Sequence, residues 1–344
     1  MRSSTSQVES RQSHTLVAVT GGGEVQDMAF EIRPHPDFSW SQSRRSTFRE
    51  CPRKYYWQYY GSHNGWLEEA TDEARQAWRL KKITNLYMVL GTIVHELAAD
   101  TILRVRGGAA VPDAADLIEQ GRGRLNRAWL MSQKHEEWER SPNRVTMLME
   151  FYRGSGPSRD LIEKIRDKLH ACLRHLLSSE SFREAVEAPA VEVKEVDRLD
   201  FVELDGVKVY AQPDLLYKLG DAWRIVDWKT GARHASHSPQ LRTYAVYLQE
   251  RGDLPKGPVI GRLEYLGTGD AVSVPVSDRD CAEERQKMAD SVAAMRTYLA
   301  DPVRNEALPR GSFPLVEDTR RCPQCPFFEL CEDELAAADI AGPF

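Results

Sequence analysis

The chain has 344 residues, of which 41% are hydrophobic and 28% charged, and its mean hydropathy is −0.52. These values are typical of a globular protein in water, and they exclude a bundle of membrane helices or a mostly disordered chain. The net charge of −6 argues against a protein that coats nucleic acid by bulk positive charge, although it allows local basic grooves. The N-terminus lacks the apolar core of a signal peptide, so we expect a cytoplasmic protein.

A polar tail precedes the first predicted elements. Residues 1–36 are rich in Ser, Gln, Gly and Thr, and we expect them to be disordered. Residues 37–344 contain no internal repeat and no low-complexity linker. We therefore expect them to form a single unit.

The unit opens with an arm, residues 37–70, in which basic and aromatic side chains interleave. This mixture suits phosphate contacts and base stacking, although a helix that packs its aromatic side chains into a core would show the same pattern. The predicted nucleic-acid contacts are Arg44, Arg45, Arg49, Arg53, Lys54 and Tyr55, with Arg79, Lys81 and Lys82 as further candidates.

Helices are predicted first and strands afterwards. Residues 71–186 carry apolar side chains at three- and four-residue spacing, which predicts amphipathic helices. Between 187 and 275 the period changes to two, and Asp205-Gly206 marks the turn of the first of three predicted strand pairs. A helix is predicted between the second and third pairs, and residues 276–344 begin with another. The order predicts a mixed α/β core.

Three charged side chains lie on two predicted neighbouring strands. Asp227 and Lys229 project from one face of a strand that is apolar on both faces, which places it in the centre of a sheet. Asp214, on the other strand of that hairpin, can lie next to Asp227. Adjacent carboxylates repel each other unless a cation lies between them, and Mg²⁺ or Mn²⁺ suits such oxygen ligands. A D-x-K triplet alone is common on surfaces, but the strand placement and the second carboxylate favour metal-assisted attack of water on a phosphodiester.

Two further motifs could complete this site. Gln240 and Tyr244 are four residues apart on a predicted helix, so they share a face and could hold a phosphate or the lysine. Alone, they would equally fit a polar helix start followed by a core tyrosine. His95 lies in an apolar helical run, where a histidine is usually a core residue, but a neutral imidazole could also bind the metal.

The order G-x-x-x-H, P-D, D-x-K and Q-x-x-x-Y resembles that of the PD-(D/E)xK nuclease superfamily, most closely its RecB/AddB-like branch, over roughly residues 37–335. The resemblance implies a restriction-endonuclease-like core, with a central mixed β-sheet flanked by helices and a helical insertion. It also implies the roles of the motif residues. The Mg²⁺ or Mn²⁺ ligands would be His95, Asp214, Asp227 and the carbonyl of Trp228, with Lys229 catalytic and Gln240 and Tyr244 supporting the active site and DNA.

The C-terminal cysteines form a second set. Cys322, Cys325 and Cys331 are closely spaced among prolines, which predicts a metal-binding turn that needs a fourth ligand, and Cys51 in the arm is a candidate. The set resembles that of iron–sulfur nucleases such as AddB and the small CRISPR adaptation exonucleases. This resemblance implies a [4Fe-4S] cluster that staples the C-terminal segment to the N-terminal arm. Structural Zn²⁺ is the alternative that the spacing leaves open.

The motifs and the resemblance together imply a Mg²⁺- or Mn²⁺-dependent deoxyribonuclease, an exonuclease that acts on single-stranded DNA or DNA ends. Its role would be in DNA repair, recombination, CRISPR or phage defence. The chain carries no phosphate-binding loop of a motor, so a helicase or another nucleic-acid-processing protein is an expected partner, and a membrane is not. The alternative is a non-catalytic DNA-binding or scaffold subunit of a larger complex, although the complete motif set argues against it.

Overall fold

The structure of the chain is a computed structural model, which describes residues 32–188, 191–234, 237–252 and 258–340. The predicted disorder of the N-terminal tail concerns residues that lie almost entirely outside this description. The described residues from His35 onward group into one unit.

Helices dominate the part of the chain before residue 188. In chain order, the helices are α1 (Gln42–Glu50), α2 (Pro52–Tyr56), α3 (Asp72–Leu80), α4 (Leu86–Arg106), α5 (Ala114–Ser132), α6 (His135–Arg140), α7 (Met149–Tyr152), α8 (Arg159–Ser178), α9 (Glu180–Glu187), α10 (His237–Glu250), α11 (Asp278–Arg296) and α12 (Glu332–Ile340). A π-helical turn follows α2, and short 3-10 turns lie between α11 and α12. Among the described helices, α4 alone is long and apolar enough to cross a membrane, but half of that stretch is buried, as in the core helix of a globular protein.

The strands form a mixed sheet and three smaller ones. They are β1 (Ser39–Trp40), β2 (Ile83–Thr84), β3 (Met147–Leu148), β4 (Glu192–Val196), β5 (Asp200–Leu204), β6 (Val207–Ala211), β7 (Leu215–Leu219), β8 (Ala222–Lys229), β9 (Val259–Tyr265), β10 (Asp270–Val276), β11 (Leu299–Asp301) and β12 (Glu306–Ala307). The five-stranded sheet has the order β10-β9-β8-β7-β4, with β8 and β9 parallel and the other pairs antiparallel. A second sheet has the order β1-β6-β5. The predicted mixed α/β class is therefore confirmed.

Strand β8 lies between two hydrophobic cores. Trp223 and Ile225 project into a core that includes the buried side of α10, whereas Val226 and Trp228 project into a core formed with α4 and α8. A strand covered on both faces cannot bend or slip without opening a core, so its end is held firmly. This arrangement positions the charged residues at the end of β8.

The N-terminal arm and the C-terminal segment lie against each other. The buried Arg53 joins them: its backbone N–H donates to the carbonyl of Pro314, its Nε donates to the carbonyl of Phe313 at 2.9 Å, and its Nη1 pairs with Glu334 at 2.6 Å. Trp57 packs in one core with Phe327. Protein contacts thus join the two segments that the sequence predicted to be stapled.

Candidate active site

A cleft of about 680 Å³ opens where β7 and β8 carry their charged residues. Its walls come from the N-terminus of α1, from α4, from the end of β6 and from α10. The structure brings six predicted site residues together in this cleft, namely His95, Asp214, Asp227, Lys229, Gln240 and Tyr244.

Two buried carboxylates lie side by side in the cleft. The pairing of Leu215 with Val226 places Asp214, just before β7, beside the end of β8 that carries Asp227. Asp227 is 1% exposed and Asp214 is 5% exposed. Burial, and then the charge of Asp214, raise the pKa of Asp227 above its usual range, while Lys229 opposes the rise. Asp214 is fixed in place because its Oδ2 accepts a hydrogen bond from the backbone N–H of Trp228 at 2.6 Å.

A chain of polar contacts runs from the second carboxylate to α10. Lys229 Nζ lies 2.6 Å from Asp227 Oδ2 and donates to Gln240 Oε1 at 2.9 Å. Gln240 Nε2 in turn donates to the hydroxyl of Tyr244 at 2.6 Å. Gln240 therefore holds the lysine, which is one of the two roles that the sequence left open for it.

His95 reaches the site from the middle of α4. Its Nδ1 lies 3.0 Å from Asp214 Oδ1. Burial alone would lower the pKa of His95, but the charge of Asp214 and the hydrogen bond with it, together with the charge of Asp227, raise it to about 9. The imidazole is thus a neighbour of both carboxylates, and is not an isolated core residue.

A family model of the PD-(D/E)XK nuclease superfamily matches residues 39–332. The chain belongs to this superfamily. The solved structures that resemble it include the crystal structure of SSO0001, which is 15% identical, with a TM-score of 0.26, over 69% of this chain and 94% of that chain. No curated protein matches the chain significantly.

PD-(D/E)XK nucleases typically use Mg²⁺ or Mn²⁺. The described residues include no group of three or more His, Cys, Asp or Glu side chains arranged to hold a metal ion. The donors in the cleft nevertheless suit a hard cation, because carboxylate oxygens are its preferred ligands. Moreover, Asp227 Oδ2 is buried and pairs with the cationic Nζ of Lys229 at 2.6 Å, so the surroundings of this oxygen favour a positive charge beside it.

The sequence did not predict one buried carboxylate, which lies behind the PD-(D/E)XK site. Glu264 on β9 is 2% exposed and pairs in register with Trp228. It accepts hydrogen bonds from Trp228 Nε1 at 2.8 Å, from Arg262 Nε at 2.7 Å and from the backbone N–H of Ser181 at 3.2 Å. The indole is thereby anchored on the face of β8 opposite Asp227. The only sequence signal was an Arg-x-Glu pair at strand spacing, which is equally common on solvated strands.

The four cysteines predicted to act together lie near one another. Burial raises the pKa of the Cys322, Cys325 and Cys331 thiols, that of Cys325 to about 11, and Cys51 raises all three further. Cys51 caps α2, where its Sγ accepts a hydrogen bond from the backbone N–H of Lys54 at 3.4 Å. Thiolates suit iron–sulfur or zinc chemistry, although these thiols, among the described residues, are not arranged as a group that holds a metal ion.

Three of the six arm residues that were predicted to contact DNA have buried side chains. Arg44, Arg53 and Tyr55 are 3%, 3% and 0% exposed, and they pack among aromatic rings or bond to the C-terminal segment. The prediction that these three side chains contact DNA is therefore corrected. They follow the alternative that the sequence left open, in which the side chains of this segment pack into a core. Arg45 pairs with the buried Glu284 at 3.1 Å.

The other predicted DNA contacts, in the arm and just after it, are at least partly exposed. Arg49 is exposed on α1, and Lys54 pairs with Glu50 at 2.8 Å. Lys81 lies 5.9 Å from the ring of Tyr59, and burial, with help from Lys82, lowers its pKa to about 8. Their contacts to DNA stay a prediction.

Proposed function

We propose that this chain is a metal-dependent deoxyribonuclease, an exonuclease that hydrolyses phosphodiesters of single-stranded DNA or DNA ends. The observation that carries the proposal is the cleft in which two buried carboxylates and a lysine meet. Burying two like charges is costly, and folding tolerates it where an opposite charge offsets it. Lys229 and the protonated His95 offset this charge in the metal-free protein, and a divalent ion would take the place of the charge on the imidazole.

The residues of the cleft have different proposed roles in metal binding and hydrolysis. His95, Asp214, Asp227 and the carbonyl of Trp228 would hold Mg²⁺ or Mn²⁺. When bound, the ion would acidify a water and neutralise charge on the phosphodiester. Lys229, which Gln240 holds at 2.9 Å, is placed to orient the attacking water or to stabilise charge on the phosphoryl oxygens. Binding of the ion by His95 requires its neutral form, so the proton that Asp214 favours on the imidazole must leave.

An assay on end-labelled DNA tests this proposal. The wild type should cleave single strands or ends with Mg²⁺ or Mn²⁺ and lose activity with chelator, and the products will show the polarity. Asp227→Ala and Lys229→Ala should abolish cleavage while folding survives. Asp221→Ala, an exposed aspartate in the turn of the same hairpin, should cleave like the wild type.

Retained cleavage in a clean preparation of either site variant would contradict the assignment. Metal-dependent DNA binding by the wild type without any cleavage would favour the alternative, a non-catalytic DNA-binding or scaffold subunit. We place the enzyme in the cytoplasm, in DNA repair, recombination, CRISPR or phage defence, working beside a helicase or a similar protein.

We further propose that Cys51, Cys322, Cys325 and Cys331 hold a [4Fe-4S] cluster with a structural role, with Zn²⁺ as the alternative. The packing of Cys322, Cys325 and Cys331 against one core, which also contains Trp57 from the segment that follows Cys51, supports this proposal. Anaerobically purified protein should be brown, with absorbance near ~400 nm. Cys331→Ser should lose the colour and some stability, whereas Cys172→Ser, at a buried thiol in another core, should keep the colour. A colourless protein with one zinc per chain would decide for Zn²⁺.

A further inference from the structure

The hairpin of β5 and β6 has one face in a core and one face in solvent. Val202, Val207 and Val209 are buried and share a core with residues of α10. Side chains alternate along a strand, so the intervening residues must point outward. The outward face is unusual for a surface in contact with solvent, because it includes two aromatic rings.

The two rings form a cross-strand pair. Phe201 on β5 lies opposite Tyr210 on β6, with ring centroids 5.4 Å apart and planes at 47°. Phe201 is 44% exposed, and the neighbouring Leu199 is 60% exposed. Lys208, two residues from Tyr210 on the same face, has its Nζ 5.5 Å from the Phe201 ring. Tyr210 is half-buried, and Lys208 pairs at 3.7 Å with the exposed Asp37. An exposed ring, a half-buried ring and a partly exposed lysine thus lie together on this face.

This outward face runs directly into the candidate active site. Leu199, Tyr210 and Gln212 line the same cleft as Asp214 and Asp227. The chain passes from the end of β6 to Asp214 within three residues, so Tyr210 and the first carboxylate are held by one continuous piece of backbone. A ligand that extends out of the cleft on this side would meet Tyr210 and then Phe201.

The chemistry of this face selects one kind of ligand. Aromatic rings stack on nucleobases whatever the base, and a nearby lysine suits a backbone phosphate. In a duplex the flat faces of the bases are covered by their neighbours, whereas a single strand can splay its bases onto a protein ring. The face therefore fits an unpaired strand better than a double helix.

We propose that Leu199, Phe201, Lys208 and Tyr210 form a stacking platform that receives the unpaired bases of a single-stranded substrate next to the scissile phosphate. The inference rests on the proposed nuclease function and deepens it, because it identifies the residues that discriminate single strands from duplexes. The platform acts by binding and takes no part in hydrolysis.

Equilibrium binding of the full chain to a short single-stranded oligonucleotide, with Ca²⁺ in place of Mg²⁺, tests the platform. Phe201→Ala should raise the Kd by about 5- to 100-fold, as expected for one lost base–ring stack. Phe201→Leu, which keeps the size and apolar character, should lose nearly as much. Phe201→Trp should bind like the wild type. Affinity for a blunt duplex and for Mn²⁺ should stay unchanged in all three.

A matched control lies on α4. Tyr87 is also an exposed ring, 46% exposed, with Lys168 Nζ at 5.4 Å, but it does not line the cleft. Tyr87→Ala should bind single strands like the wild type. A 2-aminopurine base in the oligonucleotide should be quenched by the wild type and by Phe201→Trp, and much less by Phe201→Leu.

The outcomes separate the two proposals. If the wild type binds and cleaves single strands and Phe201→Leu binds them equally well, the platform is wrong and the nuclease stands. An equal loss in Tyr87→Ala, or a change of oligomeric state in Phe201→Leu by sedimentation, would also overturn the platform, the latter in favour of an interface between copies. If the wild type neither binds nor cleaves DNA, both proposals fail.

Discussion

The environment of Arg44 leads to a prediction that separates folding from DNA binding. Its guanidinium donates to the hydroxyl of Tyr55 at 3.1 Å, to that of Tyr60 at 3.4 Å and to Ser39 Oγ at 3.1 Å. It also lies over the ring of Tyr59, 4.3 Å from the centroid. We therefore expect Arg44→Ala to destabilise the fold and to leave the DNA affinity of the folded protein unchanged.

The size of the effect follows from these contacts. A hydrogen bond to a charged group contributes about 1.5–3 kcal/mol, and a desolvated cation–π contact contributes about 2 kcal/mol. These contributions overlap, and removing the charge relieves its burial, so we expect a net loss of about 3 kcal/mol in the free energy of unfolding. That loss reduces the ratio of folded to unfolded protein roughly a hundredfold.

Urea unfolding of purified protein measures the loss, and Arg49→Ala is the control. Arg49 lies on the same helix but is exposed, so its removal should change stability by no more than about 0.5 kcal/mol. If Arg49 contacts a phosphate, its removal should also lower the slope of DNA affinity against salt by about one. Arg44→Met, which keeps the apolar stem, should fall between the two in stability. Equal midpoints for Arg44→Ala and Arg49→Ala would refute the reasoning.

Three further predictions concern the site and its surroundings. Trp228→Phe removes the hydrogen-bond donor to Glu264 and should weaken Mn²⁺ binding, measured by electron paramagnetic resonance, more than it lowers kcat at saturating metal. If the variant binds Mn²⁺ as tightly as the wild type, the hydrogen bond to Glu264 does not hold Trp228 in place for metal binding. The raised pKa of His95 means that the metal-free protein loses stability as pH rises from about 6.5 to about 9, and His95→Gln should flatten this part of the stability profile. In the same pH range Mg²⁺ binding to the wild type should release a proton, seen by calorimetry in buffers of different ionisation enthalpy, and the variant should release less.

The sequence predicted the site better than its surroundings because the site depends on short-range geometry. Alternation along β8 places Asp227 and Lys229 on one face, and the register of a tight hairpin sets Asp214 beside them. Both constraints act over a few residues and can be read from the chain alone. The helix spacing of Gln240 and Tyr244 is equally local, and the structure shows them hydrogen-bonded to each other.

Long-range packing was not predictable in the same way. Arg44 and Arg49 belong to one helix and have the same chemistry, yet one is buried and the other exposed. The difference depends on which face of α1 packs against the aromatic residues that follow it. That orientation cannot be predicted from the sequence alone. Glu264 is a similar case, because its burial is set by α9 covering β9 rather than by its own neighbours in sequence.

The position of β8 between two cores explains how the site can hold charges that repel each other. Asp214 and Asp227 are pressed together by packing on both faces of the strand and not by their own interaction, which is unfavourable. The fold therefore bears an electrostatic cost at the site, and a divalent ion that relieves it would stabilise the whole protein. Binding of Mg²⁺ should then raise the unfolding temperature of the wild type more than that of Asp214→Asn, in which the repulsion is already removed.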